Sequence, residues 1–343
     1  MKKSLPKIGP DAGELSLLPY EVIKWELLKT ALELDVFRHL EEPVSANDLA
    51  AKLSAHPQNT ELMLNALATL GCLNKSNGLF EMTPLARAYF NPSSELYIGP
   101  ILLFSENWNK PMLNGGMKDL ICNGPKPVEN IGGEEIWEQG ARASINHARC
   151  GRAQEIAACV AALPEFGAFK RMLDMGGGPG MVAVAVAAAH PSMTGVIIEQ
   201  PAVCRVAREL IAEYGMESRI STVSGDYMED PLDENYDFVM ANYTLNFYRH
   251  RLDELMSKVY KAINPGGVFL VTSDGLSKEK TAPSLSVITW LSTALQGMDM
   301  SFERGFVADA MIRAGFESTQ STMVWDLPLA SHGPMDVIVA RKA

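Results

Sequence analysis

An apolar strand pattern, Arg171-Met172-Leu173-Asp174-Met175, runs without a break into Gly176-Gly177-Gly178-Pro179-Gly180 and then into the small-residue stretch from Met181 to Ala189. Few folds accommodate that succession. Glycines directly after a strand let the backbone turn tightly and approach a ligand, and the helix that follows aims its N-terminus at the same place. Glycines alone are common in turns, so two acids carry the argument further. Asp174 sits at the end of the strand itself, two residues before the first glycine. A second strand pattern, Gly195 to Glu199, ends in a carboxylate 19 residues after Gly180, where it can accept from both hydroxyls of a ribose.

The rest of the chain supplies the context. From Met172 onward the strand patterns RMLDM, GVIIE, ISTVSG, YDFVMAN, GVFLVTS and DVIVARK alternate with amphipathic helices. Such alternation predicts a parallel, doubly wound, Rossmann-like sheet over 164–343. Residues 15–95 read as a smaller, mainly helical unit. Val22, Trp25, Leu28, Leu32 and Val36 recur at helical spacing, which predicts one helix ending near Glu41-Glu42-Pro43. Ser45 followed by Asp48 is an N-cap pattern, and Leu62, Leu64, Leu67 and Leu70 predict a third helix stopped by Gly71. Two short strands flank Ser76-Asn77-Gly78, a hairpin signal. Three helices and a hairpin make a winged-helix pattern. Residues 96–163 are the helical connector, with one long helix expected from about Glu134 to Leu163.

Composition excludes several alternatives. The 343 residues correspond to about two domains of ~150 residues. The longest purely apolar run, Met181 to Ala189, is nine residues, against the ~20 that a spanning helix needs. The first 16 residues carry two lysines near their start and no apolar run behind them, so a cytoplasmic address is expected. A net charge of −11 argues against holding nucleic acid by neutralising phosphates. Cys72, Cys122, Cys150, Cys159 and Cys204 form no CxxC pair, and the six histidines show no ligand spacing, so no metal is expected.

The loop DxGxGxG departs from the dinucleotide spacing GxGxxG and resembles the first motif of class I methyltransferases. The resemblance implies S-adenosylmethionine as cofactor, with S-adenosylhomocysteine as product, and places Asp174, Gly176, Gly178, Gly180, Glu199 and Gln200 around it. Gly225-Asp226-Tyr227-Met228 resembles the adenine-side motif of that fold. Taken with MTPLARAYF and IIEQPAV, the chain is similar to the acetylserotonin and caffeate type O-methyltransferases over nearly its whole length. That family implies a class I methyltransferase domain preceded by a winged-helix dimerisation domain, a homodimer built through it, and a small-molecule acceptor with neither membrane nor nucleic acid as partner.

One departure bears on the chemistry. Members commonly carry Leu-His-Asp-Trp after the fourth strand, the histidine being the general base, where this chain has Leu245-Asn246-Phe247-Tyr248. Asn246 cannot take up a proton near neutral pH. Asn242, in the cofactor set, stands where plant members often have lysine, and the usual downstream acid falls near Ser301, with Glu303 two residues on. A hydroxyl acceptor must lose a proton, and a histidine base accelerates that by about 10²–10⁴-fold. A thioether has no proton to lose. The sequence thus resembles bacterial enzymes that methylate 4-methylthio-2-hydroxybutyrate on the way to dimethylsulfoniopropionate.

Two alternatives stay open: O-methylation of a phenolic or hydroxylated metabolite with His147 or His250 as base, and cofactor binding without methyl transfer. The long helix also offers Arg142, Arg149 and Arg152 to an acceptor carboxylate, with Arg142 the expected one. Tyr243, Met298 and Asn246 complete the expected acceptor pocket with His147, and Tyr248, Met300 and Phe302 are further lining candidates.

Overall fold

The computed structural model describes residues 9–126, 133–325 and 334–343. They fall into two units that divide after Gly99.

In the first unit, helix α1 (Leu18–Glu33) stops earlier than the apolar spacing implies. Asp35 takes a left-handed φ of 54°, a conformation that Asp and Asn tolerate better than most residues. The chain then re-enters as a separate 3₁₀ turn, Val36–Leu40, which turns Val36, Phe37 and Leu40 into the core. Strand β1 (Val44–Ser45) leads into α2 (Ala46–Leu53), and the Asp48 N–H donates to Ser45 Oγ at 3.2 Å, as the cap pattern predicts. Helix α3 (Pro57–Thr69) buries Leu64 and Leu67 but leaves Leu62 exposed. Strands β2 (Leu73–Ser76) and β3 (Leu79–Met82) pair across Asn77 and Gly78, both at positive φ, the geometry of a type I′ turn. Strand β1 adds to β3, and α4 (Pro84–Tyr89) closes the unit. Leu15, Leu17, Leu18, Tyr20, Val22 and Ile23 remain exposed at the start of α1 and just before it.

All of α5 (Gly99–Asn109) but its first residue belongs to the second unit, in which α6 (Gly116–Asn123) follows. Residues 127–132 of the expected connector lie outside the described residues. The single long helix expected from Glu134 is two: α7 (Glu134–His147) and α8 (Ala153–Ala161). Between them the backbone kinks at Cys150 and Gly151, the latter at φ 132°, which only a residue without Cβ adopts readily. Helix α8 buries Ile156 and Val160 in one core with Val182 and Val186 of α9 (Met181–Ala189), so this part of the connector packs onto the Rossmann-like sheet.

That sheet has seven strands: β4 (Arg171–Met175), β5 (Thr194–Glu199), β6 (Ile220–Ser224), β7 (Tyr236–Asn242), β8 (Ile263–Ser273), β9 (Ser318–Val324) and β10 (Met335–Arg341), in the order β6-β5-β4-β7-β8-β10-β9. Strands β4 to β8 are parallel, while β10 runs antiparallel to both β8 and β9, so the sheet is mixed where a parallel one was expected. Strand β9 escaped the sequence reading because an edge strand, STQSTMV here, has no need of a continuous apolar run. Met172, Phe238 and Leu270 face one core with α8, α9 and α10 (Pro201–Glu213). Leu173, Val239 and Phe269 face the other, with α11 (Leu252–Ala262) and α13 (Phe306–Ala314); α12 (Ser284–Leu295) lies between them in sequence. Strand order reverses between β4 and β7, and in open α/β sheets ligands bind outside the carboxyl ends of the strands at such a point. Among the described residues no helix is long and apolar enough to cross a membrane.

Candidate functional site

The strand-end groups singled out in the sequence all lie at that carboxyl edge. Gly176, Gly178 and Gly180 have φ of 62°, 56° and 85°. A Cβ on Gly176 would run into the Thr244 side chain, and one on Gly180 would come within 2.7 Å of Ile197 Cδ1. A Cβ on Gly178 meets nothing within 4 Å, so here the loop faces open space. The Gly178 N–H donates to Glu199 Oε1 at 3.2 Å and the Gln200 N–H to Oε2 at 2.7 Å. Burial raises the Glu199 pKa, and those two N–H groups oppose the rise.

Asp174 is wholly buried, and neither of its oxygens has a hydrogen-bond partner among the described residues. Burial pushes it up to about 7, the Glu199 charge adds to that, and the Asn242 amide acts the other way. Asn242 accepts from Thr272 Oγ1 at 3.2 Å and leaves its Nδ2 without a partner. A buried orphan acid beside an open glycine cradle suits a ligand with a cationic amino group, and S-adenosylmethionine has one. Asp226 accepts from the Met228 N–H at 2.8 Å and from the Tyr248 hydroxyl at 2.7 and 2.8 Å to its two oxygens. Tyr227 and Met228 of the same motif pack inward. Tyr227 donates to the Thr244 carbonyl at 2.9 Å and braces the β7 loop beneath Gly176, and Met228 sits in the core.

A second cluster begins where β7 ends. Tyr243 takes φ 52°, a costly conformation for a bulky residue, and the Arg152 guanidinium lies 5.1 Å from its ring centroid. Asn246 is buried. Its Nδ2 donates to Asp274 Oδ2 at 3.3 Å and to the Met300 carbonyl, while its Oδ1 has no partner among the described residues. Asp274, wholly buried, also accepts from Trp290 Nε1 at 2.6 Å. Burial raises its pKa, against the Trp290 and Asn246 hydrogen bonds and the Arg152 charge. Burial lowers the Arg152 pKa, with Tyr243 and Asp274 opposing. Burial pushes His147 down to about 4, and the Arg152 charge adds to that. His147, Arg152, Tyr243, Asn246 and Asp274 thus form one cluster.

Other expected groups lie elsewhere. Arg142 is half-exposed and bonded to Glu138 and to Glu209, the latter at 2.7 and 3.0 Å, so its guanidinium is committed to a surface network between α7 and α10. Arg149 donates to Asn146, Tyr214 and Glu213. His250 is exposed. Met298 is half-buried, Met300 contributes its carbonyl, and Phe302 is core, stacked on Phe306. Ser301 donates to Asp299, and Glu303 pairs with Lys280 at 3.2 Å. The sequence reading missed Asp274, although it directly follows β8 much as Asp174 lies at the end of β4, a signal of the same kind. Among the described residues no group of three His, Cys, Asp or Glu could hold a metal.

Two family models match the chain: an O-methyltransferase domain over residues 138–316 and an O-methyltransferase dimerisation domain over 19–92. A 3-hydroxy-5-methyl-1-naphthoate 3-O-methyltransferase of Streptomyces sahachiroi is 26% identical over 81% of this chain and 79% of the relative. The acetylserotonin O-methyltransferase of Macaca mulatta is 25% identical over 79% and 82%. In the solved human N-acetylserotonin methyltransferase in complex with S-adenosylmethionine, the fold superposes with a TM-score of 0.80 at 21% identity, covering 99% of this chain and all of that one.

Proposed function

The chain belongs to the S-adenosylmethionine-dependent O-methyltransferase family, whose members act on small molecules, and from that premise we propose that its acceptor is a small thioether carboxylate such as 4-methylthio-2-hydroxybutyrate, methylated on sulfur without a general base. Asn246 carries this reading. It fills the position of the expected base, and its amide is held by Asp274 and Met300. The nearby imidazole, His147, is kept neutral and weakly basic by burial, and His250 is exposed.

Base-free transfer suits sulfur. The cofactor supplies an electrophilic methyl on its sulfonium. The acceptor sulfur's lone pair forms the new S–CH₃ bond as that methyl's bond to the donor sulfur breaks. S-adenosylhomocysteine and a sulfonium product result, total charge is unchanged and no proton moves. What the protein must supply is alignment, and in-line orientation accounts for much of the barrier reduction. Arg152, over the Tyr243 ring, replaces Arg142 as the group for the acceptor carboxylate. On the cofactor side, Asp174 would meet the amino group, Glu199 the ribose and Asp226 the adenine, with Gly176, Gly178, Gly180, Gln200 and Asn242 shaping the cradle.

A homodimer through the first unit is part of the same reading, supported by the dimerisation-domain match and by the exposed apolar residues around the start of α1. A cytoplasmic address and entry of dimethylsulfoniopropionate synthesis go with it. The second reading, O-methylation with His147 as base, has the relatives' printed activities on its side. Incubation with S-adenosylmethionine and 4-methylthio-2-hydroxybutyrate beside a phenol panel, from about pH 6 to about pH 9, separates the two. Sulfonium product with no histidine-like limb is expected. Turnover of hydroxylated acceptors alone would return the base role to a histidine, and cofactor binding with no S-adenosylhomocysteine formed would leave the non-catalytic reading.

A further inference from the structure

We infer that Asp274 is a specificity-determining positioning residue, which locks the Asn246 amide so that its Oδ1 accepts a hydrogen bond from a hydroxyl on the methyl acceptor. The inference deepens the reading above and rests on it for placing the acceptor beside Asn246. Its ground is the donor and acceptor pattern. Nδ2 of Asn246 faces the Met300 carbonyl, which can only accept, and an oxygen of the Asp274 carboxylate. That settles the orientation of the amide, because the flipped form would set Oδ1 against two oxygens. Trp290 Nε1, donating to the other oxygen of Asp274 at 2.6 Å, fixes the carboxylate in turn.

The consequence falls on Oδ1. It is buried, and no donor meets it among the described residues. A buried carbonyl without a partner costs free energy that a bound donor recovers. Asn246 follows β7 at the carboxyl edge, within the cluster that holds Arg152 and Tyr243. An acceptor with its carboxylate on Arg152 and a hydroxyl on Asn246 Oδ1 would be held at two points, leaving its thioether to be aimed at the methyl. The hydroxyl is then a recognition handle and loses no proton.

The test compares 4-methylthio-2-hydroxybutyrate with its deoxy analogue 4-methylthiobutyrate. Turnover of each is measured with S-adenosylmethionine, and binding of each to the S-adenosylhomocysteine-loaded protein by calorimetry. Sites built to bond a hydroxyl discriminate strongly against analogues lacking it, so the wild type should favour the hydroxylated acid by about 100-fold or more in kcat/KM. Asp274→Asn keeps an oxygen for Trp290 but sets an amide NH₂ against Asn246 Nδ2 in place of one of its two acceptors, and Asn246→Ala removes Oδ1 itself. Both should cut the preference to about tenfold or less, mostly through KM for the hydroxylated acid, while cofactor affinity, which reports folding, stays within about threefold. A merely structural role would lower both acceptors together and leave their ratio intact. An unchanged ratio in both variants, or no preference in the wild type, overturns the inference. Discrimination in binding without sulfonium product would overturn S-methylation and keep the inference, and binding of neither acid overturns both.

Discussion

The backbone N–H of Gly178 donates to Oε1 of Glu199 at 3.2 Å, which ties the glycine loop after β4 to the end of β5. The other carboxylate oxygen takes the Gln200 N–H that opens α10. Glu199 therefore holds the cradle in shape, and under the proposed function it would also accept from the ribose. Glu199→Ala should weaken S-adenosylmethionine binding by about 100-fold or more, since hydrogen bonds to a charged group contribute about 1.5–3 kcal/mol each. Calorimetry measures it, and an unchanged Kd would remove Glu199 from the cofactor site.

Gly178 and Gly180 should fail differently. Valine at Gly178 would point into the open space of the cradle from a φ of 56°, so cofactor binding should be lost while the fold survives at a cost of about 1–3 kcal/mol. Alanine at Gly180 meets Ile197 Cδ1 at 2.7 Å from a φ of 85°, so it should lower Tm and weaken the cofactor only indirectly. Thermal unfolding and calorimetry on the two variants separate the effects.

Asp174 sets a pH dependence. With its carboxyl pushed up to about 7, the free protein holds it largely protonated at pH ~6, and the cofactor's cationic amino group favours the ionised form. Binding near pH ~6 should release close to one proton, and affinity should rise with pH to a plateau above about 7. Titration in two buffers of different ionisation heat reads the proton directly. In the free protein the sign on stability is opposite. The folded-state pKa lies above the unfolded value, so this group's contribution falls as pH rises from ~4 through about 7.

His147 should leave the pH–rate profile alone. Its imidazole, held down at about 4, is neutral across the range in which a histidine base would titrate, so His147→Ala should keep the profile's shape. Loss of an acid limb near pH ~6.5 in the variant would favour O-methylation with this residue as base. The same shift makes the fold lose stability as pH falls from ~6.5 towards about 4, because the unfolded chain takes up the proton first.

The two arginines give opposite expectations for a carboxylate acceptor. Arg152→Met should raise KM by about tenfold or more, through loss of a charge-assisted hydrogen bond. Arg142→Met should leave KM unchanged, since that guanidinium already serves Glu138 and Glu209 on the surface.

What could be read beforehand divides along a physical line. The loop after β4, the acids Asp174 and Glu199, the Ser45 cap and the Asn77-Gly78 turn were legible because each depends on neighbours a few residues away. The breaks at Asp35 and Gly151 were not, because apolar spacing continues across them and only packing chooses between one helix and two. Strand β9 was invisible for the same reason at the sheet edge, where its pairing with β10 supplies what its polar residues do not announce.

The glycine loop and its strand-end acids were therefore written in the sequence itself: tight turns and strand-end acids act over a few residues, and their order along the chain is their order in space. The cluster around Asn246 was not. Asn246 stood out as a missing base, but its amide was oriented by Asp274, 28 residues away, and by Met300, 54 residues away. Arg152, just after the kink at Gly151, lies over Tyr243, whereas Arg142 is held on the surface by Glu138 and Glu209. Contacts between side chains remote in sequence depend on how helices close over a sheet, and only the folded chain decides that.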